Sequence, residues 1–284
     1  MVNEAAHIPE KIVLGLDLSC ILKDHHRERA APAAIHFDST QVPVAKTGFV
    51  GTNKKVSSGH YGVKDMRTDW YCRSTIPLVD KEGRVWGVLA GQPNDPQWAE
   101  LHVEAADALE SHRNRCVASK KKPNRRGKFN ALRCGISHGG GQSQPCNHAN
   151  DSASAAVLEE LNSMKVFQRL AGFSSSVMAN WVPDLHSYYV EYLGKLYTHN
   201  PSLKHTFKNS VFAATTYNFG PQTVCFKHMD RANLPFGWCS ITALGSFDHT
   251  KGGHLILWEC GLVIEFPAGS TVLFPPPSSP TPIP

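Results

Sequence analysis

His228 and Asp230 stand two positions apart in KHMDR, between runs that read as β-strands. On an extended chain such residues point to the same side, so an imidazole and a carboxylate reach one ion together if the segment stays extended through Asp230. These are two of the three protein ligands of the 2-His-1-carboxylate arrangement, which leaves positions open on non-haem Fe(II) for a cosubstrate and oxygen. A second histidine must come from elsewhere. The last histidine is His254, the last arginine is Arg231, and residues 275–284 read PPPSSPTPIP. A bare His-x-Asp is common by chance, so its surroundings must decide.

Strand-like runs lie before the pair at 211–217 and 222–227, and after it at 238–244, 253–258, 262–266 and 271–274. They are short, rich in Val, Ile, Thr and aromatics, and separated by turn formers such as Lys251-Gly252-Gly253 and Pro267-Ala268-Gly269. This pattern predicts an α+β protein with a double-stranded β-helix core, jelly-roll or cupin-like, buttressed by helices. A helix is predicted over 95–115, capped by Asp95, with Trp98, Leu101, Ala105 and Leu109 on one face. A second runs from Asp151 or Ser152 to about 170, carrying Val157, Leu158, Leu161 and Met164 inward. A third covers 183–197, with Leu185, Tyr189, Tyr192, Leu193 and Leu196 inward. Further strand candidates are 11–17, 75–79 and 84–90.

The wording of two segments goes beyond this pattern. RRGKFNALRCGISHGGGQSQPCNHAND, at 125–151, and the stretch from NFGPQTVCFKHMDRANLPFGWCS to GSTVLF, at 218–274, resemble the mushroom-type fungal branch of the TET/JBP dioxygenases. The resemblance implies an Fe(II)- and 2-oxoglutarate-dependent oxygenase of 5-methylcytosine or thymine in DNA, of a kind often associated with transposons. It makes His228 and Asp230 the first two iron ligands and Gly252-Gly253 the turn before the next core strand. In the family a distal histidine follows, and then an arginine for the 2-oxoglutarate carboxylate; this chain has neither. Proline-rich sequence cannot donate ladder hydrogen bonds, so the roll is expected to be incomplete at the C-terminus, as in a truncated or divergently spliced member. His254 is a candidate substitute ligand and Lys251 a candidate carboxylate anchor, although both read more simply as exposed residues beside the glycine turn. A methyl group inside a stacked duplex cannot reach a buried iron, so the nucleotide would have to flip out, at a cost of a few kcal/mol.

Charge and composition set the partners. The chain carries a net charge of +5, and between Arg113 and Arg133 it holds Arg115, Lys120, Lys121, Lys122, Arg125, Arg126 and Lys128 without one acidic residue. Such a run neutralises phosphates and attracts DNA in a salt-sensitive way; alone it reads equally as a solvated linker or a nuclear-localisation patch. The expected organisation is an N-terminal α/β region at 1–115, a basic linker at 116–133, a dioxygenase core at 134–274 and a proline-rich tail at 275–284. No run of about 18 apolar residues or secretory leader is read, so no membrane span is expected and a nuclear protein is. The eight cysteines lack framework spacing and are expected as thiols. Cys134, His138, Cys146 and His148 are soft ligands within fifteen residues, but their spacing matches no common zinc site. Trp181, Tyr188, Tyr189, Tyr192, Phe236 and Trp238 are expected mainly in the core, with Phe236 or Trp238 placed to stack on an extruded base. Three readings follow: a competent dioxygenase, a family member that keeps the fold without turnover, and a catalytically inactive DNA-binding accessory protein of a transposon.

Overall fold

The runs Ile76–Val79 (β3) and Val85–Gly91 (β4) pair antiparallel around a turn organised by Asp80. Its buried carboxylate accepts the backbone N–H groups of Glu82 and Arg84 at 2.9 and 3.0 Å and Nε of Arg84 at 2.9 Å. Gly83 closes the turn at φ +77°, a left-handed conformation that a side chain disfavours. The protein is seen in a computed structural model that describes residues 75–115, 127–139, 141–225, 234, 236–257 and 262–275, with two short strands, Ala33–Ala34 (β1) and Arg67–Thr68 (β2). The predicted strand at 11–17 and the tail at 276–284 lie outside the described residues.

The remaining strands are Asn130–Ser137 (β5), Cys146–Asn147 (β6), Ala214–Phe219 (β7), Cys239–Thr242 (β8), Leu255–Leu257 (β9), Leu262–Ile264 (β10) and Thr271–Phe274 (β11). They form three sheets: β1-β3-β4-β11-β8, β2-β10-β9 and β6-β5-β7. Pairing is antiparallel except where the two-residue β1 and β2 join β3 and β10. β4, from the N-terminal portion, and β8, which follows the His228-Asp230 segment, flank β11 on its two sides. The protein is thus a mixed α and antiparallel-β structure.

Successive residues of a strand face opposite ways, and β11 shows what each face of the large sheet meets. Val272 and Phe274 join Leu78 and Leu89 against Leu255, Leu257 and Ile264 of the smaller sheet. Leu273 joins Val88 and Ala90 on the other face, against Val177, Met178 and Val190 of two helices. A register shift beside Val85 turns Trp86 onto the first face, where its ring stacks on Phe274 at 6.3 Å and 9°.

Among the described residues the helices are Trp98–Arg113 (α1), Ser152–Ser163 (α2), Lys165–Trp181 (α3) and Pro183–His199 (α4). On α1 the predicted stripe is inward: Trp98, Leu101 and Ala105 are buried, with Ala108 beside them and Leu109 partly covered. Its N-cap is Gln97 rather than Asp95, whose carboxylate instead accepts the Gln97 N–H at 2.9 Å and pairs with Arg169. Asp151 caps α2 through the Ser154 N–H. The predicted continuous helix to about 170 is corrected: Met164 is extended, and α3 starts afresh at Lys165 and runs to Trp181. On α4 the buried stripe is His186, Val190 and Gly194, whereas Tyr192, expected inward, is 50% exposed. Leu185 and Tyr189, as expected, pack partly buried against the core that Val190 joins. α1, α2 and α3 pack on the third sheet through Leu161, Phe167, Tyr217 and Phe219.

Candidate functional site

The segment that carries His228 and Asp230 is held at both ends, while the two residues themselves lie outside the described residues. Upstream, β7 runs antiparallel to β5 from Ala214 to Phe219, and the chain then passes a cis Gly220-Pro221 bond to Cys225. Cys225 is buried and bridges to Gly127. That approach requires glycine: a Cβ at position 127 would stand 2.3 Å from the Val224 carbonyl oxygen. Of the strand expected at 222–227, this bridge is the pairing found among the described residues.

Downstream, the chain returns to the large sheet through Trp238, whose N–H donates to the Tyr189 hydroxyl at 3.0 Å. Tyr189 comes so close because residue 237 is glycine; a Cβ there would stand 2.3 Å from its oxygen. Burial pushes the Tyr189 phenol up to about 12, so it stays protonated at neutral pH and can donate in turn. α4 thereby fixes where the chain re-enters β8. Trp238 is buried, which corrects the expectation that it is available to a base. Phe236 is 50% exposed and meets Tyr188 edge-on at 5.4 Å, and Tyr188 lies 4.2 Å from Tyr192.

Of the basic run, Lys120, Lys121, Lys122, Arg125 and Arg126 lie outside the described residues, and Lys128 is exposed beside Gly127. Arg113 pairs with Glu110. Arg115 donates to both oxygens of Glu160, at 2.6 and 2.5 Å, and Nε2 of His112 stands 3.0 Å from the same carboxylate. Those partners, Arg115 first, hold the Glu160 carboxyl down at about 2. Arg115, with His112, therefore joins the end of α1 to Glu160 of α2, while Arg113 is paired within α1.

Lys251, the candidate carboxylate anchor, lies in a turn with its ammonium 2.9 Å from the Asp248 carboxylate and its side chain 82% exposed. That hydrogen bond raises the lysine and helps lower the aspartate. His254 is partly buried directly before β9. Cys134, His138, Cys146 and His148 do not converge: Cys134 lies against Asn162 and the Thr215 carbonyl, while Cys146 is exposed and takes a hydrogen bond from Gln142 at 2.7 Å. No group of three His, Cys, Asp or Glu side chains able to hold a metal is assembled among the described residues. Those residues alone therefore do not form an iron site.

Two features escaped the sequence reading. β5 was expected to be part linker, yet it is the central strand of the third sheet; Gly135 lies in it at φ +95°, where a Cβ would stand 2.2 Å from the Ala213 carbonyl oxygen. The glycine of RCGIS is thus a packing requirement. Gly237 is the second, and only the hydroxyl of a residue nearly fifty positions earlier explains it.

No helix among the described residues is long and apolar enough to cross a membrane. No protein-family model matches the chain, and no curated protein matches it. Among solved structures, NgTET1 in complex with 5mC DNA is similar with a TM-score of 0.44 and 18% sequence identity, over 76% of this chain and 75% of that chain.

Proposed function

We propose that the chain is a TET/JBP-type Fe(II)- and 2-oxoglutarate-dependent dioxygenase directed at 5-methylcytosine or thymine in DNA, with a jelly-roll core and with His228 and Asp230 as two of its iron ligands. The observation that carries this reading is the His228-Met229-Asp230 sequence within the longer resemblance at 218–274. The segment's setting supports it: one end is pinned at the Gly127 bridge and the other at Trp238, as a short ligand-bearing loop between two sheets requires. His228 and Asp230 would hold the iron, which when bound supplies the oxidation of a methyl group. The chain's own task is to position the base and exclude water, and the basic run at 120–128 would attract the phosphates.

Within residues 1–284 no histidine follows His254 and no arginine follows Arg231, and Lys251 is turned to Asp248. These residues therefore name two of the three protein ligands of the facial set. The second reading, a catalytically inactive DNA-binding accessory protein of a transposon, applies where no third ligand joins them.

The test is product formation on 5-methylcytosine DNA with Fe(II) and 2-oxoglutarate, read as 5-hydroxymethylcytosine by mass spectrometry. The chain is expected to give little or none. Appending a strand pair that carries a histidine and an arginine should restore turnover, and His228→Ala in that extended protein should abolish it. Equal rates from the unextended and extended proteins would make His254 and Lys251 the leading candidates for the third ligand and the carboxylate anchor.

A further inference from the structure

Resting on the DNA reading above, we propose that Phe236, Tyr188 and Tyr192 form a stacking platform on the outer face of α4 for unpaired bases of a DNA strand, with Lys195 at its end for a backbone phosphate. Phe236 and Tyr192 are each 50% exposed, which is costly for rings that normally bury most of their area. They are not scattered. The rings form a row, Phe236 to Tyr188 at 5.4 Å and Tyr188 to Tyr192 at 4.2 Å, and the Lys195 ammonium stands 5.1 Å from the Tyr192 centroid.

Two half-exposed rings bridged by a third, edge-on at one contact and tilted at the other, with a cation over the last, suit a ligand with flat rings joined by anionic links. Base–aromatic stacking is tolerant of sequence because every base offers a π-face. The Lys195 charge is shared with Glu191, its neighbour one turn back. A phosphate must compete with that carboxylate, so the rings carry the larger share of binding. Location agrees with this occupant. Phe236 follows Asp230 by six residues, at most about 20 Å of extended chain, so a strand lying on the row passes within a short span of the His228-Asp230 segment.

The test is fluorescence anisotropy of the full chain with labelled oligothymidine, which has no structure of its own, and with an abasic strand of equal length at the same salt. Tyr192→Ala with Phe236→Ala is expected to weaken oligothymidine binding about tenfold and to leave the abasic strand unaffected. Tyr192→Phe with Phe236→Tyr should keep wild-type affinity, and Lys195→Gln should cost about twofold on both strands. Four results overturn the platform: unchanged oligothymidine affinity in the alanine variant, equal loss on the abasic strand, a lowered thermal midpoint that marks the rings as structural, or a change in oligomeric state that makes the row a contact between copies. Wild-type protein that binds neither oligothymidine nor duplex DNA would defeat the DNA reading itself.

Discussion

The two faces of the large sheet are finished differently. Against the smaller sheet, the contact is made by Leu78, Leu89, Val272, Phe274, Leu255, Leu257 and Ile264, side chains with no polar atom. Against the helices, apolar contacts are interleaved with hydrogen bonds: Ser240 donates to Ser174 at 2.7 Å, Val211 N–H donates to Ser175 at 3.2 Å, and Trp238 N–H donates to Tyr189 at 3.0 Å. Hydrophobic burial stabilises without direction, whereas a buried hydroxyl must find its partner. The first face therefore supplies stability, and the second fixes the position of α3 and α4 relative to β8, where the chain leaves the His228-Asp230 segment.

Truncation on the apolar face should have the largest effect. Phe274 is 2% exposed and stacked on Trp86, so Phe274→Ala is expected to cost about 3–5 kcal/mol in denaturant unfolding; a loss below about 1 kcal/mol would remove the distinction between the faces. On the polar face, Ser174→Ala or Ser240→Ala alone leaves a hydroxyl without its partner and should cost about 1–2 kcal/mol. The double variant should be less destabilised than the two losses summed, and strict additivity in that cycle would mean the bond fixes nothing.

The smallest effect is a response to acid confined to the helical side. His102, His148, His186 and His205 are all lowered by burial, and none belongs to the core between the two sheets. A histidine with a depressed folded value is neutral when folded, so the stability it confers is whole above its ordinary value of about 6.5 and is lost as pH falls through the lowered one. Thermal midpoints should fall from pH 7 to pH 5, and His186→Gln should flatten that slope. An unaltered slope would assign the acid response elsewhere.

Much of this arrangement was legible because burial follows pattern. The stripe on α1 and the strands around 76–79, 85–91 and 271–274 were readable from hydrophobic spacing and turn residues. α3 was not, beyond its first turns. Gly172 and the serines at 174–176 have poor helix propensity, and only the sheet packed against them shows why Ser174 and Ser175 are small and buried. On α4, Leu185 and Tyr189 were readable and do pack against the core, but Tyr192 resembles a core residue and is exposed, while His186 and Gly194, buried with Val190, carry no apolar signal. β5 lacks the β-branched density that marks a strand, and its register comes from β7, more than eighty residues later. For the candidate site, the ligand pair was visible as spacing. Its anchors were not, because the tightest contacts that call for glycine at 127 and 237 are with the distant Val224 carbonyl and Tyr189 hydroxyl.

β11 lies between β4 and β8, and its partner Gly91 precedes Thr271 by 180 residues (271 − 91). On a ribosome adding about 5–20 residues per second, that separation is on the order of 10–40 s. Throughout this interval the β3–β4 hairpin has been made, yet the strand that will cover its inner edge does not exist. An apolar strand with a bare edge invites pairing with another nascent chain. Successful production of this protein should accordingly depend on low expression levels, which keep nascent chains apart, or on a chaperone that shields the hairpin, and fragments ending before Thr271 should collect in the insoluble fraction.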